Sequence, residues 1–360
     1  LPILLILLYG IAVLFICAAF ICVWAGAVKS AYQAQVCIEK NKPVTTFAED
    51  IKSLFDKNLH KLLLTLPVGG ILIFTILPLI FMIAMAFTNY SKVNSHLVLF
   101  DWVGLENFRQ MFDVSGMFGK TFWSVLGWTI VWAVFATGLN YILGMLLALL
   151  INRKGTKIKG FWRLIFILSI AIPQFVSLLV MRSMLSQDGI INVMLKNAGW
   201  IQKSLPFFSN VAWARITVIV VNLWIGIPYT MMQVTGILQN IPLELYEAAE
   251  VDGAGPVIRF FKITLPYMLF VTTPYLITTF TANINNFNIV YLLTKGDPVL
   301  SGNTAGKTDL LVTWLYKMTV DYQYYNLGAV IGIMTFVFLA IGSLLVYRRT
   351  KSYKDEEGFQ

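Results

Sequence analysis

The sequence predicts an all-α integral membrane protein with about seven transmembrane helices. Three observations predict it. Hydrophobic residues make up 58% of the 360-residue chain and charged ones 12%, where soluble domains carry about 25% charge. Apolar runs long enough to cross about 30 Å of hydrocarbon recur from end to end. Basic residues then gather just outside alternate runs, as the positive-inside rule requires. A soluble chain of this balance would expose large apolar patches.

The spans follow in order. Leu1 to Ala27 is the first. The chain starts at Leu1 and not at Met, so further residues are expected upstream. Ala25-Gly26-Ala27 has small residues like those of a cleavage site, but the apolar run is too long for a signal peptide and no basic region precedes it. Lys29, Lys40, Lys42, Lys52, Lys57 and Lys61 put the next loop in the cytoplasm. Residues 1–61 are thus expected to form one transmembrane helix and a basic cytoplasmic loop. Leu62 to Met85 is the second span, with Pro67 and Pro78 inside it. A membrane helix tolerates such prolines where neighbours satisfy the freed backbone groups.

An outer segment runs from Phe87 to Lys120, and Thr121 to Ile151 is the third span. Trp123, Trp128 and Trp132 near its outer end read as an aromatic belt. Arg153, Lys154, Lys157, Lys159 and Arg163 place the following loop inside. Leu164 to Met184 is the fourth span, kinked near Pro173. Val211 to Gln239 is the fifth, Tyr267 to Leu293 the sixth and Asn326 to Tyr347 the seventh. Residues 62–347 would then hold six spans, and 348–360 a cytoplasmic tail. Segments expected inside hold 17 of the 27 Lys and Arg, and those expected outside hold 8. That asymmetry supports the topology and explains the net charge of +9 without nucleic acid.

The polar run Asn240 to Pro266 breaks this pattern. Asn240 is suited to cap a short helix and Pro242 to open its first turn. Asp252-Gly253 is a turn signal, with Gly253 free to take positive φ. Gly255-Pro256 restarts a helix. Leu243, Tyr246 and Ala249 fall on one helical face, which a short helix between two spans cannot bury alone.

Candidate chemistry is sparse. Cys17, Cys22 and Cys37 have neither metal-ligand nor redox spacing, and His60 and His96 stand alone. The run Gly302 to Thr308 imitates a phosphate loop but is one residue short, and no predicted strand precedes it. Glu247, Glu250 and Asp252 lie together with no nucleophile nearby, so no catalytic set emerges. No Asp or Glu lies within an expected span, which argues against an ion-gradient-driven secondary transporter.

Within the spans, two polar faces stand out. Asn222, Gly226 and Tyr229 share one face of the fifth span. Thr279, Asn283 and Asn286 share one face of the sixth. Such groups are costly at membrane depth unless they bond to neighbours or line a wet cavity. Asn and Tyr offer the neutral donors, acceptors and flat ring that a sugar needs. Polar bonding between helices explains them equally well.

The polar run carries a resemblance. Glu247-Ala248-Ala249, then Gly253, then Ile263-x-Leu265-Pro266 is similar to the EAA loop of ABC importer membrane subunits. Asn222-Leu-Trp-Ile-Gly-Ile-Pro-Tyr229 and Thr279-Phe-Thr-Ala-Asn283-Ile-Asn-Asn286 resemble the sugar-contacting segments of MalF-type sugar permeases. Trp102 to Phe108 and Gly302 to Thr308 also resemble outer elements of that family. The resemblance covers roughly residues 62–347 and implies a type I ABC importer permease core. It implies sugar contacts at Asn222, Ile225, Gly226, Tyr229, Thr279, Asn283 and Asn286. It implies coupling to an ATPase through Glu247, Ala248, Ala249, Asp252, Gly253, Ile263, Leu265 and Pro266. The implied partners are a second homologous permease, two ATP-binding subunits and an extracellular sugar-binding protein. The implied cargo is maltose, maltodextrin or another oligosaccharide of galactan or raffinose type. ATP and Mg would be bound by the partner ATPase subunits, with no cofactor and no catalysis in this chain, a multi-pass protein of the bacterial plasma membrane. Two departures stand against the pattern. The outer segment Phe87 to Lys120 is short where the family has a large folded domain. The loop before the last span carries Tyr322, Tyr324 and Tyr325.

Overall fold

A computed structural model gives the fold and describes residues 2–41, 43–44, 46–93, 96–97, 101–153 and 155–349. Of the expected inner charges, Lys42, Lys154, Lys351 and Lys354 lie outside them, as does the tail from residue 350 on. Among the described residues six helices are long and apolar enough to cross a membrane, or seven if one bent pair counts as a span. The chain divides into two compact units, residues 1–108 with 324–330, and residues 109–323 with 331–360.

In the first unit, helix α1 runs Pro2–Glu39 and so extends a dozen residues beyond the span expected from hydropathy. The residues after Ala27 include Lys29, Gln33 and Gln35, good helix formers that carry the helix past the apolar run. Helix α2 (Phe47–Leu54) is a short amphipathic piece in the basic loop. Thr46 and Glu49 cap its start reciprocally, with Glu49 Oε2 accepting from the Thr46 N–H at 2.8 Å. Helix α3 (Leu59–Ile71), a π-helical turn at Leu72–Ile76 and helix α4 (Leu77–Met85) together form the second span. Its two prolines differ in effect: Pro67 sits inside α3, while Pro78 falls in the first turn of α4.

The outer segment then pairs β1 (Lys92–Val93) with β2 (His96–Leu97). In the run Trp102 to Phe108, Trp102 forms a β-bridge to Thr88 and helix begins at Glu106, as α5 (Glu106–Phe112). Asn107 is the buried staple of this element. Its Nδ2 donates to the carbonyls of Ala86 and Thr88 at 2.8 and 2.7 Å, and Asn326 Nδ2 donates to its Oδ1 at 3.0 Å.

The second unit is a helical bundle. Helix α6 (Met117–Asn152) is its longest member and packs most closely on α10 (Val211–Leu238). Between them come α7 (Lys159–Ala171), α8 (Gln174–Met184) and α9 (Ile190–Asn197). The kink expected near Pro173 is in fact a break, with α7 and α8 bent 87° apart. Pro173 removes one backbone donor and pushes Ile172 to extended geometry (ψ 126°), so helix cannot pass through.

After α10 come α11 (Leu243–Val251) and α12 (Pro256–Arg259), then a π-helical turn at Phe260–Thr264. Helix α13 (Leu265–Ile284) follows, with α14 (Phe287–Leu293) beyond a break at Asn285. The expected outer loop is partly helical, through α15 (Leu311–Tyr316) and a π-helical turn at Lys317–Asp321. Helix α16 (Tyr325–Arg349) ends the described chain.

Two apolar clusters hold this bundle together. One joins Trp132, Leu178, Val218, Ile289, Leu293 and Leu310. The loop before the last span thus folds into the core, with Leu310, Leu311, Trp314 and Met318 all buried. The aromatic belt expected on α6 is corrected accordingly. Trp128 and Trp132 are interior, and only Trp123 reaches the surface. Their indole N–H groups explain the inward turn, donating to the Thr308 and Asn283 carbonyls at 3.2 and 2.9 Å. The second cluster joins Tyr141, Met145, Met231, Val234, Ile241 and Met268 near the other end.

Candidate transport pathway and coupling segment

Asn283 is the buried polar hub of α13. Its Nδ2 donates to Thr137 Oγ1 at 2.9 Å, and its carbonyl receives Trp132. Asn222, on α10, is also buried, yet its Nδ2 has no hydrogen-bond partner. On α6, the buried Asn140 has an Oδ1 with no partner. A side chain added at Gly226 would run into the Asn140 carboxamide, so the glycine makes the room that Asn140 occupies. One orphan donor and one orphan acceptor thus lie on the two most closely packed helices. Each costs about 1–3 kcal/mol while unpaired. Both atoms are buried, and both belong to neutral carboxamides, which can donate and accept.

The other expected contacts are placed less uniformly. Ile225 is half-buried and packs on the Trp132 cluster. Tyr229 is 51% exposed. Thr279 is half-buried on α13. Asn286 departs from the expected common face, because α13 ends at Ile284. Its side chain instead caps α14, accepting from the Ile289 N–H at 3.4 Å. Thr137 and Asn140 were not singled out by the sequence reading. Two polar residues three apart inside a long apolar helix are the signal that marks them.

The polar run Asn240 to Pro266, the expected coupling segment, lies apart from these residues in sequence. Helix α11 starts at Leu243 with Pro242 in the cap position, so Asn240 does not cap it as expected. Its end follows the punctuation closely. Gly253 has φ +75°, the Gly253 N–H bonds the Glu250 carbonyl at 3.1 Å, and the Ala254 N–H bonds the Ala249 carbonyl at 2.8 Å. This is a Schellman cap, which needs a left-handed residue where Gly253 stands. Gly255 and Pro256 then open α12 as read.

Glu247, Ala248, Asp252, Gly253 and Pro266 are exposed, and Ala249, Ile263 and Leu265 are half-buried. The half-buried Ile263 and Leu265 pack, with Tyr246, on the inner apolar cluster. Two polar links brace the turn. Glu250 Oε2 accepts from Arg259 at 3.1 Å, and the Tyr246 and Thr264 hydroxyls lie 2.9 Å apart. The first is exposed on its carboxylate side and contributes little. The second ties α11 to the π-helical turn that leads into α13. We expect Tyr246→Phe to cost about 1 kcal/mol locally, and to lower transport per ATP hydrolysed in a reconstituted complex while leaving its assembly intact.

The run Gly302 to Thr308 forms a turn over the core and not a phosphate cradle. Arg215 Nε donates to the Lys307 carbonyl at 3.0 Å, and the Thr308 hydroxyl lies 2.9 Å from that of Thr294. The Asp309 carboxylate is fully buried and receives Lys317 Nζ at 2.6 Å. Burial pushes this carboxyl above its usual range, while Lys317, the Gly306 N–H and the Thr313 hydroxyl pull it back.

Comparison with known proteins fits this arrangement. Residues 140–352 match the family model described as binding-protein-dependent transport system inner membrane component. The chain is 37% identical over 350 residues to the galactooligosaccharides transport system permease protein GanP of Bacillus subtilis strain 168, covering 96% of this chain and 83% of that one. It is 38% identical over 314 residues to the maltodextrin transport system permease protein MdxF of the same strain, covering 82% and 70%. A solved bacterial ABC transporter that imports the acidic polysaccharide alginate shares the fold at TM-score 0.65 and 22% identity, over 84% of this chain and all of that one. The chain belongs to the binding-protein-dependent inner membrane components, the multi-pass permease subunits of ABC importers.

Proposed function

We propose that this permease carries a neutral oligosaccharide, with maltose or maltodextrin as the leading cargo, and that it does no catalysis itself. The observation that carries the substrate class is that the buried side chains Asn140 and Thr137 on α6, Asn222 on α10 and Asn283 on α13 are neutral amides and a hydroxyl, with Asn283 bonded to Thr137 and Asn140 set against Gly226. It holds no formal charge, so it suits hydroxyl-rich ligands over ions. Ile225, Gly226, Tyr229, Thr279 and Asn286 complete the proposed contact set, with Tyr229 offering its ring to a sugar face.

Residues 62–347 act as the permease core, 1–61 as an N-terminal helix and loop, and 348–360 as a cytoplasmic tail. The core pairs with a second homologous permease and two ATP-binding subunits, and receives cargo from an extracellular sugar-binding protein. ATP and Mg stay on those ATPase subunits. Their closure pushes the exposed face of Glu247, Ala248, Asp252 and Gly253. Tyr246, Ile263 and Leu265 pass that push to α13 and so to Asn283.

Galactooligosaccharide is the second reading, favoured by the longer match to GanP, which spans 96% of the chain. Uptake into vesicles bearing the assembled complex decides, with labelled maltodextrins, galactooligosaccharides and raffinose compared. Transport that needs both ATP and the binding protein supports the class. We expect Asn283→Ala and Tyr229→Ala each to lower uptake about tenfold or more. Uptake driven by a proton or sodium gradient would refute it.

A further inference from the structure

The outer end of the bundle holds a cavity of about 150 Å³ that the pathway above does not use. It is lined by Lys120 and Ser124 of α6, by Arg215 of α10, and by Asn303 and Lys307 of the loop between α14 and α15, with Trp128 as a wall. Among the described residues none of the three cations makes an ion pair: the salt bridges there are Arg259 with Glu250 and Lys317 with Asp309. Asp309 is the one carboxylate that reaches the cavity. It is already occupied by Lys317, the Gly306 N–H and the Thr313 hydroxyl, at 2.6, 2.7 and 2.9 Å.

Arg215 is the most constrained of the three. It lies in the second turn of a membrane-spanning helix, where an unneutralised charge is costly. Its guanidinium stacks 4.3 Å from the Trp128 ring centroid, and its Nε donates to the Lys307 carbonyl. The stack and that bond fix the fork in place while leaving its charge unanswered. Three cationic residues line one small polar cavity whose single carboxylate is already bonded, a lining suited to an anion.

Volume narrows the class. The cavity has room for about five waters at about 30 Å³ each, enough for one carboxylate on a short stem. The positioned Arg favours a planar, two-oxygen anion over a point charge. We infer that this cavity receives an acidic side chain of the extracellular binding protein when that protein docks. The inference rests on the reading that the chain works in a binding-protein-dependent importer with this end facing outward.

The test uses the whole transporter in lipid nanodiscs and measures ATP hydrolysis against binding-protein concentration. Lys120→Gln with Lys307→Gln removes two charges and keeps the Lys307 carbonyl that Arg215 needs. We expect the half-saturating concentration of binding protein to rise at least about tenfold. The saturated rate should stay unchanged, and the salt dependence of half-saturation should flatten. Arg215→Gln should act in the same direction, and the lysine pair keeps the test valid if that variant fails to assemble. An unchanged half-saturation in the lysine variant would overturn the inference. So would an outcome in which sodium acetate, at matched ionic strength, protects the parent from heat more than the variant while half-saturation stays the same; the site would then take a free anion. A parent complex that the binding protein does not stimulate at all would defeat the importer reading itself, and the inference with it.

Discussion

Replacing Asp309 with alanine is expected to cost the purified chain about 3 kcal/mol or more, read as a fall of at least about 4 °C in its melting midpoint. The Asp309 side chain is fully buried and that of Lys317 is 12% exposed. Removing the acid leaves an ammonium in the core with no counter-charge, and orphans the Gly306 N–H as well. The loss is the penalty of the stranded partners and not the worth of the bridge. For that reason Asp309→Ala combined with Lys317→Met should recover much of the stability. A double variant no better than the single one would show that the two residues act apart. The effect should reach beyond the loop, since Leu310 and Leu311 follow directly and sit in the core.

Gly144→Leu should abolish transport. A Cβ at this position would stand 2.7 Å from Thr230 Cβ and 3.1 Å from the Met231 nitrogen, on the most closely packed helix pair. Neither neighbour is the loose end of a long side chain, so α6 and α10 must part. Overpacking of this kind costs about 1–3 kcal/mol or more. It would also move Asn140 away from Gly226. Gly127→Leu is the control, because a Cβ there would meet nothing within 4 Å and the position is exposed on the same helix. We expect the control to assemble and transport like the parent. Uptake per assembled complex measures both, and equal loss in the two variants would contradict the packing argument.

Much of this was legible in the residues. Hydropathy located the long spans, because a membrane helix satisfies its own backbone and its length is fixed by the bilayer. Gly253 and Gly255-Pro256 announced their turns because few residues tolerate those conformations. Other features depended on partners distant in sequence. Trp128 and Trp132 look like interface anchors until the carbonyls that receive them, at Thr308 and Asn283, are known. The end of α1 was missed because hydropathy reports where apolar residues stop and not where helix stops. Asn285-Asn286 before Phe287 did carry a capping signal, yet the apolar residues on both sides read as one uninterrupted helix. Asn140 was overlooked because its importance lies in what faces it across the helix pair.

The break at Pro173 bears on which way the later helices run. Helix α7 has 13 residues and α8 has 11, about 20 and 16 Å at 1.5 Å per residue. Each falls short of the hydrocarbon thickness. If the pair dipped in and returned, α10 would be traversed in the opposite sense. Gly253 would then emerge on the far side, away from any nucleotide. Coupling through Gly253, as proposed, therefore requires the two half-length rods, bent as they are, to deliver the chain through the bilayer between them.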